Sequence, residues 1–234
     1  MTAEFSLLLG TAATLGLVHT VLGPDHYVPF VAMAKARNWS NRRAMVITLL
    51  SGIGHVSSSV VIGMVGLLFG VELLKLTALE SFRGEIAGWL LFGFGIAYMI
   101  WGIRRAMKHV SSRPHSHGLL THKHPGGGLA HSHNGRHEDQ ANITPWIIFT
   151  IFVFGPCEPL IPVLLFPAAR ADAFNVFAVA LTFSVFTIGT MLALVYASMR
   201  GLAKVNLGIM ERYSHALAGF VVASCGAGIQ FLGL

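Results

Sequence analysis

Charge is what this chain most lacks. Of 234 residues, only 10 are Asp or Glu and 16 are Lys or Arg, against 54% hydrophobic residues. With a mean hydropathy of +0.66, that excludes an ordinary soluble domain and implies a multi-span membrane protein. Cysteine is nearly absent: Cys157 and Cys225 both fall in apolar runs, so no extracellular disulfide framework is implied. No G-x-x-x-x-G-K-S/T loop occurs, which leaves ion gradients or a partner protein as the driving force for any transport. A basic patch with interleaved aromatics is also missing, so the net charge of +6 does not point to nucleic acid. The N-terminal MTAEFSLLLG has no basic region, and the first apolar run is therefore expected to remain in the mature protein.

What is present is a set of six apolar runs, at residues 5–22, 44–69, 86–103, 146–168, 174–198 and 215–234. Each is near or above the roughly 18–20 residues that a crossing helix needs. The expectation is an all-α membrane protein with six transmembrane helices. Residues 71–82, VELLKLTALESF, are too short to cross and read as an amphipathic helix at the interface.

Thirteen of the sixteen basic residues lie in the loops after spans one, three and five; only Lys75, Arg83 and Arg170 lie on the other side. The positive-inside rule then puts both termini outside and the long loop, residues 104–145, in the cytoplasm. With three spans per half, residues 1–103 and 146–234 have opposite orientations. Two features support a duplication. Gly23-Pro24 and Gly155-Pro156 interrupt spans one and four at an offset of 132, and Gly88, Gly95 and Gly102 match Gly219, Gly226 and Gly233 at an offset of 131. Glycines seven apart lie on one helix face and permit close backbone approach. The preferred reading is a pair of inverted three-helix repeats with Gly-Pro-broken helices; two unrelated bundles are the plainer alternative.

Each break precedes residues that can bind a metal or carry a proton. In HTVLGPDH, an unbroken helix would put His19 and His26 on one face, about 10 Å apart. Pro24 removes a backbone donor and Gly23 loosens the turn, so Asp25 and His26 can fold back toward His19. Imidazole with carboxylate suits a divalent transition metal, and an ionisable group at bilayer depth is a functional candidate by default. The plainer reading is that Asp25 and His26 sit in water at a span's end. His55 follows in span two, within SGIGHVSSSVV, either as a ligand or as a packed histidine. In FGPCEPLIP, Glu158 is a candidate ligand, proton acceptor or partner for freed backbone. Cys157 is a candidate thiolate ligand or an inert small hydrophobe. For Ser51, Ser58, Ser59, Thr187 and Thr190, packing is the better reading.

The long loop holds His109, His115, His117, His122, His124, His131, His133 and His137, eight of the chain's twelve histidines. It cannot bury a core and is expected to be disordered without metal. Closely spaced imidazoles bind zinc, nickel, cobalt or copper with little selectivity, so the loop reads as a metal collector; a solvated linker is the alternative.

HTVLGPDH, GHVSSS and a His-rich cytoplasmic loop in a six-span layout resemble the nickel/cobalt transporter and urease-accessory transporter families of the lysine-exporter superfamily. Those families carry a histidine, four residues and then Asp-His in an early span, where this chain has five between His19 and Asp25. The resemblance implies a multi-pass transporter in a prokaryotic inner membrane, not an enzyme, with His19, Asp25, His26 and His55 as metal-site residues. It implies nickel or cobalt as substrate, with zinc a third choice, and a metallochaperone or accessory subunit as partner. GPCEPLIP is also similar to the membrane part of the thiol-disulfide carriers of cytochrome c maturation, a reading that requires a Cys157–Cys225 disulfide. A further alternative is an exporter of a small anion or amino-acid-like solute, using helix N-termini after each Gly-Pro. A membrane metal sensor that does not transport is a third class.

Overall fold

The structure, a computed structural model, describes residues 3–108, 143–157, 159–169, 173–203 and 208–233. It is all-helical, with no strand among the described residues. Helix α1 (Ala3–Leu22) ends at a single 3-10 turn (Pro24–His26), and α2 (Val28–Ala36) continues the chain. Then come α3 (Asn41–Leu68), α4 (Leu73–Lys108), α5 (Thr144–Phe154), α6 (Leu160–Ala169), α7 (Ala173–Leu202), a second 3-10 turn (Gly208–Tyr213) and α8 (Ser214–Leu232).

Among the described residues, five helices are long and apolar enough to cross a membrane: Ala3–Leu22, Asn41–Gly66, Leu73–Met107, Phe174–Leu202 and Glu211–Leu232. Their outer faces are apolar: Leu7, Val61, Trp89, Phe177 and Phe220 are all more than half exposed, as side chains facing lipid are.

The run at 146–168 is interrupted where the sequence predicts, at Gly155-Pro156, and divides into α5 and α6, of 11 and 10 residues. Pro156 and Pro159 each remove a backbone donor inside the run, and a regular helix cannot absorb both. Residues 73–82 do not form a separate interfacial helix. They are the first turns of α4, a continuous helix of 36 residues with no proline to stop it. The polar pattern that suggested an interface has another cause: Glu80 points inward and is fully buried.

The glycine pattern marks a seam. A Cβ added at Gly95 would run into the backbone nitrogen of Ala223, and one at Gly102 into that of Ala216. From the other side, Gly219 abuts the nitrogen of Met99, and Gly226 that of Phe92. Residue numbers rise along α4 as they fall along α8, so the two helices pack antiparallel at backbone contact. Such contact is available only to glycine, and in lipid it is a main source of helix association. Gly233 is the exception: it caps α8 with φ +66° and nothing near its Cβ position.

Candidate metal centre

The first helix break builds half of the site. The Gly23 N–H still closes the last turn of α1 on the His19 carbonyl (2.9 Å), and the His26 N–H then turns back to the Gly23 carbonyl (3.0 Å). This reversal lays His26 against Gly23. A Cβ at position 23 would stand 2.5 Å from His26 Nδ1 and 2.9 Å from Asp25 Oδ1, so only glycine allows the fold-back. His26 Nδ1 lies 3.2 Å from the Gly23 carbonyl and 3.1 Å from Asp25 Oδ1. Both partners accept, so the proton belongs on Nδ1. The Nε2 lone pair then points into the interior.

The second break builds the other half. In a helix the Phe152 carbonyl would accept from residue 156, but Pro156 has no N–H to give. His55 Nδ1 on α3 takes that carbonyl at 3.2 Å, which again leaves Nε2 as the free acceptor. A carbonyl or carboxylate on one ring nitrogen, fixing the tautomer for a metal on the other, is the usual arrangement of ligating histidines.

The three rings meet. His26 lies edge-on to His19 (centroids 4.5 Å apart) and to His55 (5.1 Å). Nε2 of His19, His26 and His55 are all buried, and none has a hydrogen-bond partner in the described structure. Buried polar atoms without partners are rare and call for an explanation. A bound electrophile would supply the partner that these nitrogens lack. His19, His55 and Cys157 each offer a ligand atom within 4.8 Å of the others. Cys157 is fully buried, and both cysteines are free; the Cys157–Cys225 disulfide required by the electron-carrier reading is not formed.

Thus His19, Asp25, His26, His55 and Cys157 come together, as do the breaks at Gly23-Pro24 and Gly155-Pro156. Asp25 sits on the Nδ1 side of His26, away from the shared centre. Ser51, one turn before His55 on α3, and Thr187 on α7 are buried, and their hydroxyl oxygens also lack partners. Glu158 lies outside the described residues, and so do His115, His117, His122, His124, His131, His133 and His137.

Two residues at the site carry roles that the sequence reading did not give them. Glu80 Oε2 accepts from the Cys157 N–H (3.1 Å) and from Ser59 Oγ (2.9 Å), and its other oxygen pairs with Arg83. Arg83 also donates to Ser58 Oγ (2.7 Å), to the Val153 carbonyl (2.9 Å) and to the Gly155 carbonyl (3.4 Å). Gly155 would have bonded to residue 159, which is also proline. The Glu80–Arg83 pair therefore satisfies the backbone that the Pro-rich break sets free. An acid and a base three apart in an apolar run, with two serines in the preceding span, was the signal in the sequence.

A second polar knot lies toward the other end of α4. Arg37 donates to Tyr98 Oη (2.9 Å) and Thr144 Oγ1 (2.7 Å), and Tyr98 Oη meets His215 Nδ1 (2.8 Å). It ties the end of α2 to α4, α5 and α8.

Compared with protein-family models, curated proteins and solved structures, the chain gives no match. The geometry of the site alone carries the functional reading.

Proposed function

We propose that this chain is a membrane transporter of a divalent transition-metal ion, nickel or cobalt first and zinc next, bound between the two broken helices. One observation carries the reading: His19, His55 and Cys157 bring ligand atoms within 4.8 Å of one another, with the buried, partnerless imidazole of His26 packed edge-on against both histidines. Nitrogen and sulfur donors suit borderline metals of the later first row and discriminate against magnesium and calcium, which demand oxygen. In this reading His19, His26, His55 and Cys157 are the ligands. Asp25 orients His26 and offsets charge, and Ser51 and Thr187 offer oxygens to a partly hydrated ion.

The six-span, inverted-repeat architecture belongs to the same proposal. In it α5 and α6 together make the remaining crossing, as the two arms of a broken helix. The antiparallel packing of α4 on α8 supports it, since these helices occupy equivalent places in the two halves. Two helix breaks that meet at one polar centre support it further, as in transporters built from discontinuous helices. Charge asymmetry supports an arrangement with both termini outside and the His-rich loop inside, where the loop would collect or receive the ion. Among the described residues, Glu80 is then the buried carboxylate that holds the Cys157 backbone.

The test is uptake or release of radioactive or fluorescent-reported nickel, cobalt and zinc by proteoliposomes containing the purified chain. Flux of one of these ions, lost in His26→Ala and His55→Ala, is expected. Stoichiometric binding without flux would mark a sensor instead, and neither binding nor flux would remove the metal reading.

A further inference from the structure

A groove of about 600 Å³ opens between α3 and α5, away from the metal centre. Val46, Leu50, Phe149 and Trp146 make its apolar walls, and Arg42 and Arg43 stand at its mouth. Both arginines are exposed. Among the described residues neither is in an ion pair, and no acidic residue lines the groove. The Arg43 guanidinium lies over the Trp39 ring at 5.8 Å, which restrains it without using its N–H donors. Trp146 is 69% exposed.

The lining is graded along α3. From Arg42 to Leu50 the helix rises about 12 Å, passing from two fixed positive charges to aliphatic surface. That is the grading of a lipid monolayer from headgroup to upper acyl chain. Guanidinium groups pair with phosphate through two parallel hydrogen bonds, and tryptophan favours the headgroup level. The volume falls within the range of small-ligand sites. A free inorganic anion would engage the arginines and leave the apolar wall unused; a zwitterionic lipid would bring its own headgroup cation up to two arginines, a repulsion that an anionic headgroup lacks.

We propose that this groove is a binding site for one anionic phospholipid. Its phosphate rests on Arg42 and Arg43, and an acyl chain lies along Val46, Leu50 and Phe149. The site is independent of the metal reading. Lipid held there would brace α3, which carries His55, against α5, which carries the Phe152 carbonyl that His55 bonds.

The purified full chain in neutral detergent can be titrated with brominated-acyl phosphatidylglycerol and, separately, brominated-acyl phosphatidylcholine, reading tryptophan quenching. Phosphatidylglycerol should quench at concentrations where phosphatidylcholine does not, and Trp146→Phe should remove that quenching. The double variant Arg42→Gln/Arg43→Gln should bind about thirtyfold more weakly, each basic residue being worth about fivefold near an anionic headgroup. Both positions are exposed, so an unchanged helical circular dichroism spectrum is expected and verifies folding. Equal quenching by both lipids, full affinity in the double variant or quenching that survives Trp146→Phe would each overturn the proposal. Displacement of the lipid by millimolar inorganic phosphate would overturn it in favour of a simple anion site.

Discussion

Glu80 holds Cys157 by its backbone: the Cys157 N–H donates to Glu80 Oε2 at 3.1 Å, while the thiol on the same residue faces His19 and His55. A carboxylate on α4 thus fixes where the α5–α6 break presents its sulfur. The contact joins a helix of the first half to the break of the second, and it sets the first prediction.

Glu80→Gln keeps an acceptor for the Cys157 N–H but removes the negative charge from Arg83. Glu80→Ala removes both. Breaking a buried pair by deleting one partner costs about 3–5 kcal/mol. The thermal midpoint in detergent should therefore fall sharply for Glu80→Ala and less for Glu80→Gln. Equal midpoints for wild type and both variants would mean that the pair does not brace the break.

Cys157→Ser should leave the fold intact, because the side chain is small and fully buried and the backbone contact survives. In wild type, cobalt binding should produce the near-ultraviolet absorption of a thiolate–metal bond. That band should vanish in Cys157→Ser while visible ligand-field bands remain. A band unchanged by the substitution would place the thiol off the ion.

His26→Ala and His55→Ala each remove one lone pair from the centre, and calorimetric titration with nickel or cobalt should show binding lost or reduced to a weak residue. Asp25→Asn should cost less, about 10–100-fold in affinity, as expected for a group that orients a ligand from its far side. If Asp25→Asn proves more damaging than His26→Ala, the carboxylate touches the ion directly.

Proton competition gives a pH dependence of definite sign. Each ligand imidazole must be neutral to bind, and metal binding therefore releases protons. Affinity should be full at neutral pH and fall as the medium is acidified through the range in which histidines titrate. Titrations in buffers of different ionisation enthalpy would count the released protons; a pH-independent affinity would contradict a histidine-based site.

Gly219→Leu should separate α4 from α8, because even a Cβ there meets the Met99 backbone. Overpacking of this kind costs typically about 1–3 kcal/mol, and backbone contact leaves little room to yield. Gly10→Ala on α1, where nothing lies within 4 Å of the added Cβ, should be silent. A stability screen of the two variants by melting in the same detergent tests the seam.

Much of this was written in the chain, and the rest was not, for reasons visible in particular residues. Hydropathy marked the spans because burial in lipid is a property of composition. HTVLGPDH marked the first break because Pro24 lacks a donor and Gly23 a Cβ, both local facts. The glycine spacing along α4 and α8 marked a face, though not its partner. What hydropathy misread was 71–82, since a pairwise contact with Arg83 and the Cys157 N–H makes Glu80 a buried residue rather than an interfacial one. The break within 146–168 was legible as well, because Pro156 and Pro159 lack donors, whereas the groups that satisfy the freed carbonyls were not.

The sequence by itself determined that this is a helical chain with membrane-length apolar segments, broken at two Gly-Pro points beside histidines, an acid and a thiol. Only the tertiary structure decided that His19, His55 and Cys157 bring ligand atoms together, with the His26 ring against both imidazoles. It also decided that Glu80 and Arg83 satisfy the second break. The reason is that helix breaks are dictated locally, by missing donors and missing side chains. The groups that answer those missing donors come from helices distant in sequence, so only packing selects them.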